Sequence, residues 1–226
     1  MTAHLIFAPH IHHLFVGERL ILLDARRDRY LFIEAPDSLL LRQALQAAPE
    51  GAPAPIVQRA LHGGVLRHAA MSQPLREETH RPAGVGLHEW QLPPDHPPPL
   101  VPGQRSRILW DFLLTRLMTQ TRGLHGQFVR LARRQTQHCR PAAPAQCRSL
   151  ALQIRACSLY LPFRTACLEN ALVTALWLAR QSIACEFCIG FQLNPFLAHA
   201  WLNVGGEVLL DRPDLNHALH LLVRIP

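Results

Sequence analysis

Eight of the chain's 19 prolines fall between residues 72 and 103: Pro74, Pro82, Pro93, Pro94, Pro97, Pro98, Pro99 and Pro102. Proline gives no N–H to a helix or ladder and fixes its own φ. A run this dense is extended, semi-rigid and without a core. The 226 residues are therefore expected to fold as two bodies, 1–71 and 104–226. Residues 72–103 are a Pro-rich linker that sets the distance between them.

In the first body, ERLILLD (18–24) and RYLFIE (29–34) read as two strands around a short charged turn. Pro36 and Asp37 open a helix with Leu40, Leu41, Ala44 and Leu45 on one face. Pro49, Pro53 and Pro55 interrupt it. A short helix with Ile56, Val57, Ala60 and Leu61 follows, stopped by Gly63-Gly64, and a helix or strand occupies 65–71. A hairpin and then small helices predict a small winged-helix-like domain. His10, His12 and His13 form a dense cluster, but no Cys or carboxylate stands at ligand spacing, so no metal site is expected.

In the second body, helical patterns cover 108–118, with Trp110, Phe112 and Leu113, and 124–134. Arg130, Arg133 and Arg134 place a solvated basic face on the latter. PAAPA (141–145) breaks the chain. A helix at 147–161 carries Leu150, Ile154 and Cys157 as a stripe until Pro162 ends it. The next helix, 166–181, turns Leu168, Leu172, Ala175, Leu176 and Leu178 inward, with Thr165 as its expected N-cap. Strands are expected at 185–191, 197–204 and 207–211, and the apolar tail 215–226 packs on the domain. A helix followed by an antiparallel sheet is the α+β class, with a papain-like arrangement. Cys185 and Cys188 would point to opposite faces of a strand. They read as small buried residues, not as a chelate or a disulfide.

The chemistry concentrates between Cys167 and Asp211. Cys167 opens a helix, and a thiol in a first turn feels the positive end of the helix dipole, which favours its thiolate. His199 follows on a strand and Asp211 closes the next, the order of a nucleophile, its base and the group that orients the base. For Asp211 to face His199, the turn between their strands must hold three residues, Val204-Gly205-Gly206, with positive φ at Gly206. His199 then stands opposite Asp211, Trp201 opposite Leu209, and Asn203 opposite Glu207.

TACLENAL around Cys167, PFLAHAWLNVGG around His199 and LLDRPD around Asp211 resemble the maturation proteases of lasso-peptide pathways. That family carries a transglutaminase-like Cys-His-Asp core. Outside this stretch the resemblance is one of layout only. It implies a leader peptidase in a peptide-antibiotic pathway, with Cys167, His199 and Asp211 as catalytic residues. It also implies an N-terminal precursor-recognition domain at 1–71, where the leader adds as a strand to a sheet edge, and a transglutaminase-like cysteine peptidase domain at 104–226. The partners implied are the precursor and a separate asparagine-synthetase-like cyclase. ATP enters through that cyclase, with no cofactor or metal on this chain. The family is expected to read the penultimate leader residue, often threonine.

Two other readings stand beside it. The same thiol could pass its acyl group to an amine, as transglutaminases do. Alternatively, the chain could be a non-enzymatic winged-helix module for a peptide or for DNA, which its net charge of +7 and pI near 9.8 would suit. All 23 basic residues are arginine. Without lysine there is no Walker A loop, no Schiff base and no lysine general base. No run reaches the roughly 18 apolar residues of a membrane helix, and residues 1–16 do not read as a secretory signal. The expectation is a cytoplasmic protein with reduced cysteines and neither nucleic acid nor membrane as partner.

Overall fold

The computed structural model describes residues 4–46, 52–78, 82–86, 99–100, 103–135 and 139–226. They fall into two units, Met1–Arg81 and Pro82–Pro226, each an α+β body.

In the first unit, β3 (Arg19–Asp24) is buried from Leu20 onward, as only an interior strand can be. It pairs antiparallel with β2 (Ile11–Val16) and with β4 (Arg29–Ile33). Gly17, at φ 60°, turns β2 into β3. β4 is an outer edge, and its Leu31 and Phe32 remain 40% and 47% exposed. A second sheet pairs β1 (His4–Phe7) with β5 (Leu66–Ala69), so the element expected at 65–71 is a strand. α1 (Asp37–Gln46) and α2 (Pro55–His62) pack Leu41, Leu45, Val57 and Ala60 onto Leu5, Phe7, Leu20 and Leu22. His13 is buried, with its ring stacked 4.2 Å from that of Phe7 and its Nε2 accepting the Arg76 N–H at 3.2 Å. Burial, aided by the charge of Arg76, lowers its pKa to about 4, so it packs as a neutral ring.

The linker is shorter than the proline pattern suggests. β6 (Glu77–Glu78) runs parallel to β2, and Gln73 Oε1 accepts the Phe7 N–H at 3.2 Å, so 72–78 belong to the first unit. At the other end, the Val85 N–H donates to Gln192 Oε1 at 2.7 Å, and Val85 is buried with Trp201, Leu215 and Leu219. This part of 72–103 therefore contributes to a core. Pro93, Pro94, Pro97, Pro98 and Pro102 lie outside the described residues.

The second unit is built around α5 (Cys167–Arg180), in which every residue from Ala171 to Ala179 is buried. This is more than the stripe expected, because helices cover one side and a sheet the other. α3 (Gln104–Gln135) joins the two helical patterns of the sequence through a kink at Gly123, φ 67°. Its Asp111 ties it to α5, accepting from Trp177 Nε1 at 2.9 Å and from both Nη atoms of Arg180. α4 (Pro144–Ser158) packs against both helices. The sheet consists of β7 (Glu186–Leu193), β8 (Phe196–Val204), β9 (Glu207–Val208) and, after the short α6 (Leu215–Ala218), β10 (His220–Ile225). Its order is β10-β7-β8-β9, antiparallel throughout. The apolar tail is thus a fourth strand.

The turn between β8 and β9 also differs from expectation. Val204 pairs with Glu207 and Asn203 with Val208, so the loop is Gly205-Gly206 alone. Both glycines have positive φ, 59° and 87°, the backbone of a type I′ hairpin whose twist matches the strands. The strand expected at 207–211 ends at Val208. Cys185 and Cys188 are buried free thiols. No helix among the described residues is long and apolar enough to cross a membrane.

Candidate active site

Helix α5 starts at Cys167, with Ala166 as its extended N-cap. Alanine has no side chain to cap with. Instead Glu169 Oε2 accepts the Ala166 N–H at 2.9 Å, which is one half of a capping box. Thr165, the expected cap, accepts from Asn170 Nδ2 at 3.3 Å. In the first turn the Leu168 N–H points at the Cys167 sulfur.

His199 sits on β8 opposite Gly190. A Cβ at Gly190 would lie 2.8 Å from Trp201 Cη2, so only glycine admits the indole there. Trp201 in turn lies nearly parallel to the His199 ring, with centroids 6.4 Å apart and planes 12° off. Its Nε1 donates to Asn216 Oδ1 at 3.2 Å, and Asn216 and Asn203 hold each other by amide bonds of 3.0 and 3.3 Å. This network fixes the plane against which the imidazole rests.

With a two-residue loop, strict alternation would turn Asp211 away from His199. The structure nevertheless brings them together. The Leu209 N–H makes the last ladder bond, to Leu202 O at 2.8 Å, and then Leu210 adopts φ 55°. That left-handed residue reverses the direction of the next side chain, and Asp211 Oδ2 comes 2.6 Å from His199 Nε2. The Arg212 N–H donates to Asp211 Oδ1 at 2.9 Å.

With Nε2 engaged by Asp211, the other imidazole nitrogen serves the hydrogen bond to Cys167. Ladder alternation points the Ala200 N–H toward β9, which has already ended, and this N–H also reaches the Cys167 sulfur. Burial works against a Cys167 thiolate. The bond and charge of His199, with the two backbone N–H groups, outweigh it and lower the thiol's pKa. Burial likewise works against a charged His199, but Asp211 and Cys167 raise its pKa to about 9. The pair thus favours thiolate beside imidazolium, a nucleophile with its proton donor adjacent.

A cleft of about 350 Å³ opens over these groups, lined by Cys167, His199 and Asp211 and by Arg155, Thr174 and Leu202 among others. The three residues expected from the sequence lie together. What sequence reasoning missed is their support: Glu169, Trp201, Asn203, Leu210 and Asn216. Trp201 shares the His199 face by strand alternation, which is a usable signal, whereas a leucine at positive φ gives none. Among the described residues no group of three His, Cys, Asp or Glu side chains could hold a metal ion.

A buried helix headed by a cysteine, packed on an antiparallel sheet that presents a histidine, with an aspartate just past the last ladder bond, is the arrangement of a thiol acyl-transfer fold. The sequence pattern of the transglutaminase-like superfamily matches residues 111–224, and the chain belongs to that superfamily. Among individual proteins, it is similar to the microcin J25-processing protein McjB of Escherichia coli, 30% identical over 63 residues. That match covers 28% of this chain and 30% of McjB. No solved structure matches the chain.

Proposed function

We propose that this protein is a cysteine peptidase that removes the leader from a ribosomally made lasso-peptide precursor. The observation that carries the reading is the hydrogen-bonded series Cys167–His199–Asp211 at the head of a buried helix. The partial similarity to a microcin-processing protein supplies the substrate class.

In this reading the Cys167 thiolate attacks the carbonyl carbon of the last leader residue, and the carbonyl π pair moves to oxygen. The Cys167 N–H, in the first turn of α5, donates to that oxyanion, an interaction worth roughly 10²–10³ in rate in other hydrolases. The C–N bond then breaks as His199 gives its proton to the leaving amine. The core departs with a new N-terminal amine, and the leader remains as a thioester on Cys167. Water attacks next, losing a proton to His199. The thiolate leaves and the leader is released as a carboxylate. Asp211 holds the imidazole through Nε2 and stabilises its charged form.

The first unit binds the leader in this reading. Strand β4, outermost in its sheet among the described residues, with Leu31 and Phe32 exposed, is the edge this reading assigns to strand addition. The new amine then passes to a separate ATP-using cyclase, and no cofactor acts on this chain. The test is incubation with a lasso-peptide precursor, read by mass spectrometry. Two fragments whose masses total the precursor plus one water are expected. Membership of the transglutaminase-like superfamily favours a second reading, transfer of the acyl group to an amine. A stable adduct with an added labelled amine, in place of the carboxylate, would select it.

A further inference from the structure

Between α4 and α5, residues 159–165 belong to no helix or strand, yet they are held. Three backbone bonds carry the chain past α4 in tight turns: the Leu159 N–H donates to Ala156 O at 3.3 Å, the Tyr160 N–H to Cys157 O at 3.0 Å and the Leu161 N–H to Ser158 O at 3.3 Å. Two arginines of α3 then pin the segment that leads to Cys167. Arg105 lies over the Tyr160 ring, 3.6 Å from its centroid, and Arg116 over the Phe163 ring at 4.5 Å. A cavity of about 460 Å³ opens along this segment. Ser158, Leu159 and Thr165 are walls both of this cavity and of the cleft that holds Cys167, His199 and Asp211. Leu159, on that shared wall, is 83% exposed, the most exposed large apolar side chain among the described residues.

We propose that the two cavities are one substrate-binding groove, in which the bound peptide runs from the thiol along 159–165 and sets an apolar side chain against Leu159. The inference rests on the peptide-substrate reading of the cleft and adds to it a determinant of which peptides bind. Continuity selects this occupant. A peptide whose scissile carbonyl meets Cys167 continues beyond the cleft on both sides of that bond, and the shared walls lead one of its arms over Leu159. Arg105 and Arg116 hold the ridge in place before the substrate arrives, so little ordering cost offsets the contact. Covering Leu159 removes apolar surface from water and so strengthens binding. A contact made equally in the bound substrate and in its transition state lowers KM and leaves kcat alone.

The test pairs Leu159→Ser with Leu159→Met in the full chain. A side chain this exposed contributes little to the fold, so both variants should melt as the wild type does. With a lasso-peptide precursor, Leu159→Ser should raise KM roughly tenfold and hold kcat within about twofold. Leu159→Met should return KM to within about threefold of wild type. Precursors with serine placed in turn at each position flanking the cleaved bond locate the partner. At one apolar position serine should cost the wild type roughly tenfold in KM and cost Leu159→Ser little. A readout that needs no cleavage is the anisotropy of fluorescein-labelled precursor on Cys167→Ala, with and without Leu159→Ser, where the same roughly tenfold loss is expected. Failure of the wild type to cleave while this binding difference holds would defeat the peptidase reading and leave the groove standing. Cleavage with KM and affinity unchanged in Leu159→Ser would overturn the groove and leave the peptidase. A fall in kcat alone, or no precursor binding by Cys167→Ala, would also overturn it. A dimer on size exclusion that Leu159→Ser dissolves, with KM unchanged, would assign the ridge to a second copy of the chain.

Discussion

Asp211 lies 2.6 Å from Nε2 of His199 because Leu210, the residue before it, sits in the left-handed region at φ 55°. A two-residue glycine loop sets the β8–β9 register so that Asp211 would otherwise face away, and the single reversed residue returns it. Leucine pays about 1–2 kcal/mol for that backbone.

Leu210→Gly should therefore keep cleavage within a few-fold of wild type and stability within about 1 kcal/mol, since glycine adopts positive φ freely. Leu210→Pro locks φ near about −65° and should lower kcat/KM about as much as Asp211→Asn, roughly 10²-fold or more. Steady-state kinetics and thermal melts of the three variants check this.

The raised pKa of His199, about 9, and the lowered pKa of Cys167 set the pH profile. Cleavage should fall as pH rises past about 9, where the imidazolium loses its proton, and fall in acid as the thiolate is protonated. His199's folded pKa lies above its unfolded value of 6.5. Its contribution to stability is therefore complete below about pH 6.5 and lost as pH rises through about 9. Asp211→Asn removes a group that raises this pKa, so the alkaline limb of kcat/KM should move to lower pH. The stability gap between wild type and Asp211→Asn should also close with rising pH.

Thiol chemistry should single out Cys167. Burial pushes Cys185 up to about 12 and Cys188 up to about 11, and raises Cys147 and Cys157 as well. Brief iodoacetamide treatment near neutral pH should label Cys167 first and stop cleavage in parallel, as read by peptide mapping. Cys185→Ala and Cys188→Ala should stay active. Each should lose roughly 1–2 kcal/mol of stability through the cavity it leaves.

Gly190→Ala should disturb the site from the far side of the histidine. The new methyl meets the Trp201 ring at 2.8 and 2.9 Å and the His220 carbonyl at 3.0 Å. A loss of about 1–3 kcal/mol is expected, together with a lower kcat as the indole shifts against His199. Thermal denaturation and single-turnover cleavage measure the two effects.

The local features of this fold could be read from the sequence. RLILLD and RYLFI read as strands from their apolar runs, and Pro36, Pro55 and Pro144 mark helix starts, whereas the helix expected to run to Pro162 already stops at Ser158. Cys167 stood out because it follows a helix break, and His199 because it lies in a strand-like run before two glycines. What escaped depends on contacts distant in sequence. The acidic pair of β6 has no strand signal of its own, and its pairing with β2 is visible only in three dimensions. Val85 is one apolar residue in a proline-rich stretch, yet it joins the core through Gln192. The register differs for a physical reason: alternation does not extend to Asp211, because the ladder ends at Leu209 and Leu210 reverses the chain.

In the proposed function Cys167 is the nucleophile on a precursor peptide. The direct measurement is intact-mass spectrometry of the precursor incubated with the wild type and with Cys167→Ala, both checked for equal thermal stability. Leader and core fragments are expected with the wild type, and uncut precursor with Cys167→Ala. Cleavage at the wild-type rate by Cys167→Ala would contradict that role.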